Sequence, residues 1–181
     1  ATVNPEVTIT GVSNPAKIQQ GQTASITTTV TPASSDYKYT WTPGTLLQDS
    51  TVANPTTVAL TKPTYYTVEV ENTKTGCSTT TKVLVDVYSP VDVDLNLTAV
   101  CADSDITIEA LRTGGTGPFK YEWTLSPATD YTKVNDSVIS IKDIASTVDI
   151  SVKVTDLTEG DSKTITKTQT VYPNPTVTLS N

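Results

Sequence analysis

Along most of the chain, apolar and polar side chains alternate one by one. Ile26, Thr28 and Val30 fall on one face of an extended run, and Tyr37, Tyr39 and Trp41 on one face of the next. Val58 and Leu60 continue the pattern, followed by Tyr66, Val68 and Val70 and then by Val83, Val85 and Val87. A period of two puts every second side chain on the same side, which is the spacing of a half-buried strand and not of a helix. The series then returns as Ile106, Ile108 and Ala110; Phe119, Tyr121 and Trp123; Ile139 and Ile141; and Ile150, Val152 and Val154. Turn-forming stretches, NTKTG at Asn72–Gly76 and GGTGP at Gly114–Pro118, separate the runs. No stretch has helical periodicity.

The return is regular. KYTWT at Lys38 and KYEWT at Lys120 place Trp41 and Trp123 82 positions apart. Tyr66–Asn72 and Ile150–Asp156 are 84 apart, and Pro5, Pro90 and Pro175 are spaced by 85. A fixed period marks a duplicated module. The spacing predicts one module over residues 1–88 and a second over 89–172, with 173–181 opening a third repeat or a tail. About seven short strands per module, with a Trp on the third, predict a β-sandwich of immunoglobulin type. The expected fold is therefore all-β: two tandem seven-stranded immunoglobulin-like sandwiches, end to end, joined by the short linker Val87–Val91. In that frame Trp41, Trp123, Tyr39 and Tyr121 are core residues and not a sugar-stacking platform.

Charge and composition narrow the function classes. A formal charge of −7 without a basic stretch argues against nucleic acid and anionic membranes as partners. No apolar run approaches the roughly 20 residues of a spanning helix, so membrane insertion is not expected. With no His in the sequence, a Ser-His-Asp triad and a His metal site are both ruled out. The acids scatter over strand faces and turns, so no enzyme is expected. The chain starts at Ala1 without Met and shows no signal peptide, which reads as a mature or excised piece, expected to be monomeric. A Thr-rich, acidic, Met-free composition fits the outside of a cell.

A few residues stand out as possible sites. Tyr65, beside Tyr66, points outward, and Tyr131 lies in a polar loop; both are possible ligand contacts. Asp86, Asp92 and Asp94, with Glu159 and Asp161, gather near the expected junction and could hold calcium there. They lack the D-x-D-x-D-G spacing of a dedicated loop, and a solvated acidic surface is the main reading. No other cofactor is expected. Cys77 and Cys101 fall at opposite ends of their modules, tens of ångströms apart at about 3.3 Å per strand residue, and are not expected to pair.

Taken together, Y-x-W on the third strand, YTVEVEN followed by Gly76-Cys77, and GGTGPF before the second Y-x-W give the chain its resemblance to a known group. It resembles the PKD-like and immunoglobulin-like repeats of large Bacteroidetes surface proteins, including gliding-motility adhesins. That resemblance implies stalks or tandem surface arrays exported by type IX secretion, sometimes beside a secreted enzyme. Such repeats often carry one Cys near the start of the second strand and a Gly-Cys after the sixth. Here the first module has only the latter (Cys77) and the second only the former (Cys101), with Asp161 in the place of the missing one. Each could therefore bridge to a flanking repeat. Asp49-Ser50-Thr51 and Asp136-Ser137-Val138 match the short motif such organisms O-glycosylate, at Ser50 and Ser137. The expected function is a non-catalytic stalk or spacer of a large secreted or cell-surface adhesin-like protein, with neighbouring repeats as its partners. The rival is an accessory polysaccharide-binding module of a secreted hydrolase.

Overall fold

The computed structural model describes residues 7–177, apart from the Val12 side chain. The chain divides into two compact units, Ala1–Ser89 and Pro90–Asn181. Both are built from strands, as the alternation requires.

In the first unit, β1 (Thr8–Asn14) pairs antiparallel with β3 (Ser25–Thr31). Opposite lies a four-stranded sheet in the order β2 (Lys17–Gln19), β6 (Ser78–Tyr88), β5 (Thr64–Asn72), β4 (Tyr37–Thr42). β1 and β2 are one opening strand broken in two. Its first half joins one sheet, and its second half crosses to run parallel to β6, Lys17 beside Asp86 and Gln19 beside Tyr88. Ile26, Trp41, Tyr66, Val68, Val70 and Val85 fill the space between the sheets. Gly11 brings β1 so close to β6 that a Cβ there would strike Val83.

One expected strand is missing. Val58 and Leu60 follow a stretch that makes only two isolated bridges, Ser25 with Thr56 and Leu47 with Thr57. Pro55 has no N–H to give to a ladder, and its carbonyl accepts from Ile26 N instead. Side chains finish the pairing: Asn54 Oδ1 accepts from Thr28 N at 2.8 Å, and Thr57 Oγ1 from Ala24 N at 2.9 Å. A single 3-10 turn, Gly44–Leu46, precedes this stretch, and Leu47 and Leu60 are buried from it.

The second unit repeats the plan with more regular edges. One sheet runs β11 (Thr132–Asn135), β12 (Val138–Ile144), β9 (Ser104–Thr113), β7 (Asp92–Leu95). The other runs β10 (Phe119–Ser126), β13 (Val148–Asp156), β14 (Ser162–Gln169). The opening strand is again broken, and its continuation β8 (Val100–Cys101) lies parallel to β15 (Val171–Tyr172). Gln169, buried at the break between β14 and β15, donates from Nε2 to Thr98 O at 2.7 Å and ties the two kinks together. Pro173–Val177 carries no strand pairing. The rest of the expected third-repeat strand, residues 178–181, and the first marker proline, Pro5, lie outside the described residues.

Candidate functional site

The duplicated Lys-Tyr-x-Trp element is structural. Trp41 and Trp123 are 2% and 8% exposed, and each indole N–H donates to a backbone carbonyl: Val52 O at 2.9 Å and Asp136 O at 3.1 Å. A buried indole needs such an acceptor, and each Trp therefore anchors the irregular or hairpin segment crossing over it. Tyr39 and Tyr121 are only half-buried, packed against the rims of the two cores. Burial, followed by the neighbouring Tyr37, pushes the Tyr39 hydroxyl up; burial does the same to Tyr66, whose hydroxyl donates to Leu46 O at 3.1 Å.

The two tyrosines singled out as ligand contacts differ in kind. Tyr65 is 66% exposed on the outer face of the first unit's larger sheet, directly across from Leu84, itself 38% exposed. Tyr131 is not the free surface residue its polar loop suggests. It is half-buried against the second core, with its hydroxyl 3.5 Å from Trp123 O. Together with Asp130, Thr132, Ser140 and Lys142 it lines a half-open cleft of about 160 Å³. Thr132 and Ser140 are cross-strand partners on β11 and β12, and Lys142 reaches across to Asp105. Hydrogen bonding to that lysine, outweighing a smaller opposing burial effect, holds the Asp105 carboxyl below its usual range.

The acids considered for calcium are engaged within their own units. Asp86 lies 4.0 Å from Lys17, Asp92 3.6 Å from Lys163 and Asp94 2.7 Å from Lys167. Asp161 Oδ2 accepts from Val91 N at 2.8 Å, fixing the first residues of the second unit to the turn before β14. Glu159 accepts from the Thr116 hydroxyl at 3.1 Å. Among the described residues, no three His, Cys, Asp or Glu side chains gather as a metal-binding group.

Ser50 and Ser137 are both half-buried. Ser50 lends its carbonyl to Trp41 N, whereas Ser137 sits in an Asx turn, its N–H donating to Asn135 Oδ1 at 2.9 Å. The matching turn in the first unit centres on Thr51, bonded to Asp49 Oδ1 through N–H and hydroxyl at 2.8 and 2.7 Å. Cys77 and Cys101 carry free, exposed thiols. Cys101 stands in register with Tyr172 on β15.

The sequence reading passed over Asp156, the most heavily hydrogen-bonded acid among the described residues. Its side chain is fully buried. Oδ1 accepts from Thr158 N and Glu159 N, and Oδ2 from Thr116 N and Gly117 N, at 2.6–3.3 Å. Burial alone would raise its pKa, but these four N–H groups outweigh it and hold the carboxyl at about 2. Asp156 thereby fastens the GGTGP loop to the hairpin Asp156–Gly160. Its position answers to Asn72 in the NTKTG turn, and that correspondence is the signal that could have pointed to it.

No protein-family model and no curated protein matches the chain. Among solved structures it is similar to the I-band fragment I67-I69 of titin, at 16% identity and a TM-score of 0.57, with 96% of this chain and 67% of that one covered. It is also similar to the N-terminal eight immunoglobulin domains of the Down syndrome cell adhesion molecule, at 16% identity and a TM-score of 0.64, over 86% of this chain and 26% of that one. Immunoglobulin domains 1–4 of Sidekick-1 align at 12% identity and a TM-score of 0.55, over 94% and 51%. At such identities the likeness concerns the fold: two immunoglobulin-like β-sandwiches in one chain.

Proposed function

We propose that the chain is a non-catalytic spacer segment of a secreted or cell-surface adhesin-like protein, carried beside further repeats of its own kind. The reading rests on how each repeat is closed. In both, the opening strand and the closing strand run parallel and side by side. β2 lies along the end of β6, with Gln20 N donating to Tyr88 O at 2.8 Å. β8 lies along β15, with Val100 N donating to Thr170 O at 3.1 Å and Ala102 N to Tyr172 O at 2.8 Å. When the two ends of such a repeat are pulled apart, the parallel strands slide past each other. Their hydrogen bonds then bear the load together instead of opening one at a time. That arrangement suits a part whose work is to transmit tension.

The extracellular setting, the Bacteroidetes repeat type and type IX export belong to the same proposal and rest on the sequence resemblance. Within it, Cys77 and Cys101 are free to bridge to cysteines of flanking repeats.

Single-molecule pulling on the whole chain tests the spacer reading. Two separate rupture events are expected, each lengthening the chain by on the order of 25 nm. Gln20→Pro, which removes the N–H that donates to Tyr88 O at the end of the β2–β6 pairing, is expected to lower one of the two forces and leave the other. A smooth extension without ruptures would rule the reading out.

A further inference from the structure

The spacer reading gives no work to the cleft beside β11, and its equipment points elsewhere. We propose that this cleft is a subsite for one neutral sugar residue of a glycan chain. A pyranose ring presents a C–H face that packs on an aromatic ring, and hydroxyls at its edge that need donors and acceptors. The residues that line the cleft can supply both: Tyr131 carries an aromatic ring, and Asp130, Thr132, Ser140 and Lys142 carry polar groups. Tyr131 is set in place by its packing on the second core and by the approach of its hydroxyl to Trp123 O, so little side-chain freedom is lost on binding.

Size and charge select the ligand. A volume of about 160 Å³ equals about five liquid-water volumes and lies below the usual range for drug-sized ligands, so one ring fits and two do not. The half-open shape lets a polymer continue on either side. The Lys142 ammonium is already met by Asp105, and the other charged group in the lining is a carboxylate, so an anionic ligand finds no uncompensated cation. A quaternary ammonium group would call for a cage of rings, and the cleft supplies a single one. The outer face around Tyr65 is the competing surface. Its apolar pair of Tyr65 and Leu84 is far smaller than the roughly 800 Å² per side of a stable protein interface.

The test is affinity electrophoresis of the whole chain through native gels containing xylan, mixed-linkage β-glucan or galactomannan, with polygalacturonate as the charged comparison. Retardation is expected in at least one neutral polymer. Ser140→Val and Lys142→Ala, at positions outside the core, are expected to weaken it at least threefold. Tyr131→Phe is expected to keep most of it, because the ring remains. Tyr65→Ala is expected to leave it unchanged. Circular dichroism of each variant checks that the sandwich is intact. Four results would overturn the proposal: no retardation in any neutral polymer, retardation only in polygalacturonate, indifference to both cleft substitutions, or loss on Tyr65→Ala.

Discussion

The hairpins Asn72–Gly76 and Asp156–Gly160 are the same turn made by two different side chains. In each, the last N–H of the turn returns to the first carbonyl: Gly76 N to Asn72 O and Gly160 N to Asp156 O, both 2.8 Å. Each also receives the loop before the Trp strand, Thr73 N donating to Asp36 O and Leu157 N to Pro118 O, both 2.9 Å. Asn72 stops there, bonding only within its own turn, to Lys74 N and Thr75 N. Asp156 uses its second oxygen to seize the glycine loop as well. The outer faces diverge too. Tyr65 and Leu84 in the first repeat are answered by Asp149 and Thr168 in the second, bonded to each other at 2.6 Å. The backbone is the conserved part of the repeat, and the side chains at its turns and outer faces are where the two copies went separate ways.

The strongest way to break the comparison is to attack what the copies share. Trp41→Ala and Trp123→Ala are each expected to destabilise their own repeat by about 3–5 kcal/mol, through the lost ring and the stranded carbonyl. Calorimetry of the whole chain should then show one transition lowered and the other in place. Movement of both together would mean that the repeats do not unfold independently. The sequence has two tryptophans, one per repeat, so fluorescence of Trp41→Ala follows the second repeat alone.

The difference at the hairpins should be nearly as large. Asp156→Asn is expected to cost the second repeat roughly 2 kcal/mol, since a charged acceptor of several N–H groups is replaced by an amide that turns a donor toward some of them. Asn72→Ala, losing only local bonds, should cost about 1 kcal/mol. Acid sharpens the contrast. Because folding lowers the Asp156 pKa, its carboxylate stabilises the repeat fully above about pH 4, and that stabilisation is lost as pH falls toward about 2. Thermal unfolding between pH 5 and 2 should show the second repeat losing this contribution, and Asp156→Asn should flatten its profile.

Glycine substitutions separate strain from crowding. Gly160, with φ of +79°, has open space around a would-be Cβ, and Gly160→Ala should cost about 1 kcal/mol from the left-handed backbone alone. At Gly115, φ of +71°, a Cβ would also meet the Phe119 ring at 2.5 Å and Asp156 Oδ2 at 2.9 Å, and Gly115→Ala should cost more than Gly160→Ala in the same melts. The smallest effects belong to the outer faces. Tyr65→Asp and Asp149→Tyr, which exchange the two characters, should each change stability by no more than about 0.5 kcal/mol.

Much of this frame was legible in the sequence. Strict alternation located β3 to β6 and β9, β10, β12 and β13, because a strand with one buried face has little freedom in its pattern. It failed at Val58 and Leu60, where two apolar residues at the right spacing follow Asn54-Pro55 and the ladder is completed by side chains. Leu84 opposite Tyr65 depends on hairpin register, which periodicity within one strand does not fix. The placing of Tyr131 depends on how a loop packs over a strand edge, and the GGTGP loop gave no hint that a buried carboxylate 40 residues on would hold it.

The broken opening strand also bears on how such a gene can grow. β1 with β2, and β7 with β8, each pair with two different strands, and the closing strand is complete only when its partner from the opening segment lies beside it. A duplication that starts even 20 residues late would leave two sheets with bare edges ready to pair with other chains. Copying therefore has to proceed in whole lengths, from the leading proline to the tyrosine of the closing strand. The 85-residue spacing of Pro5, Pro90 and Pro175 in the sequence is the spacing that such whole-length copying would give.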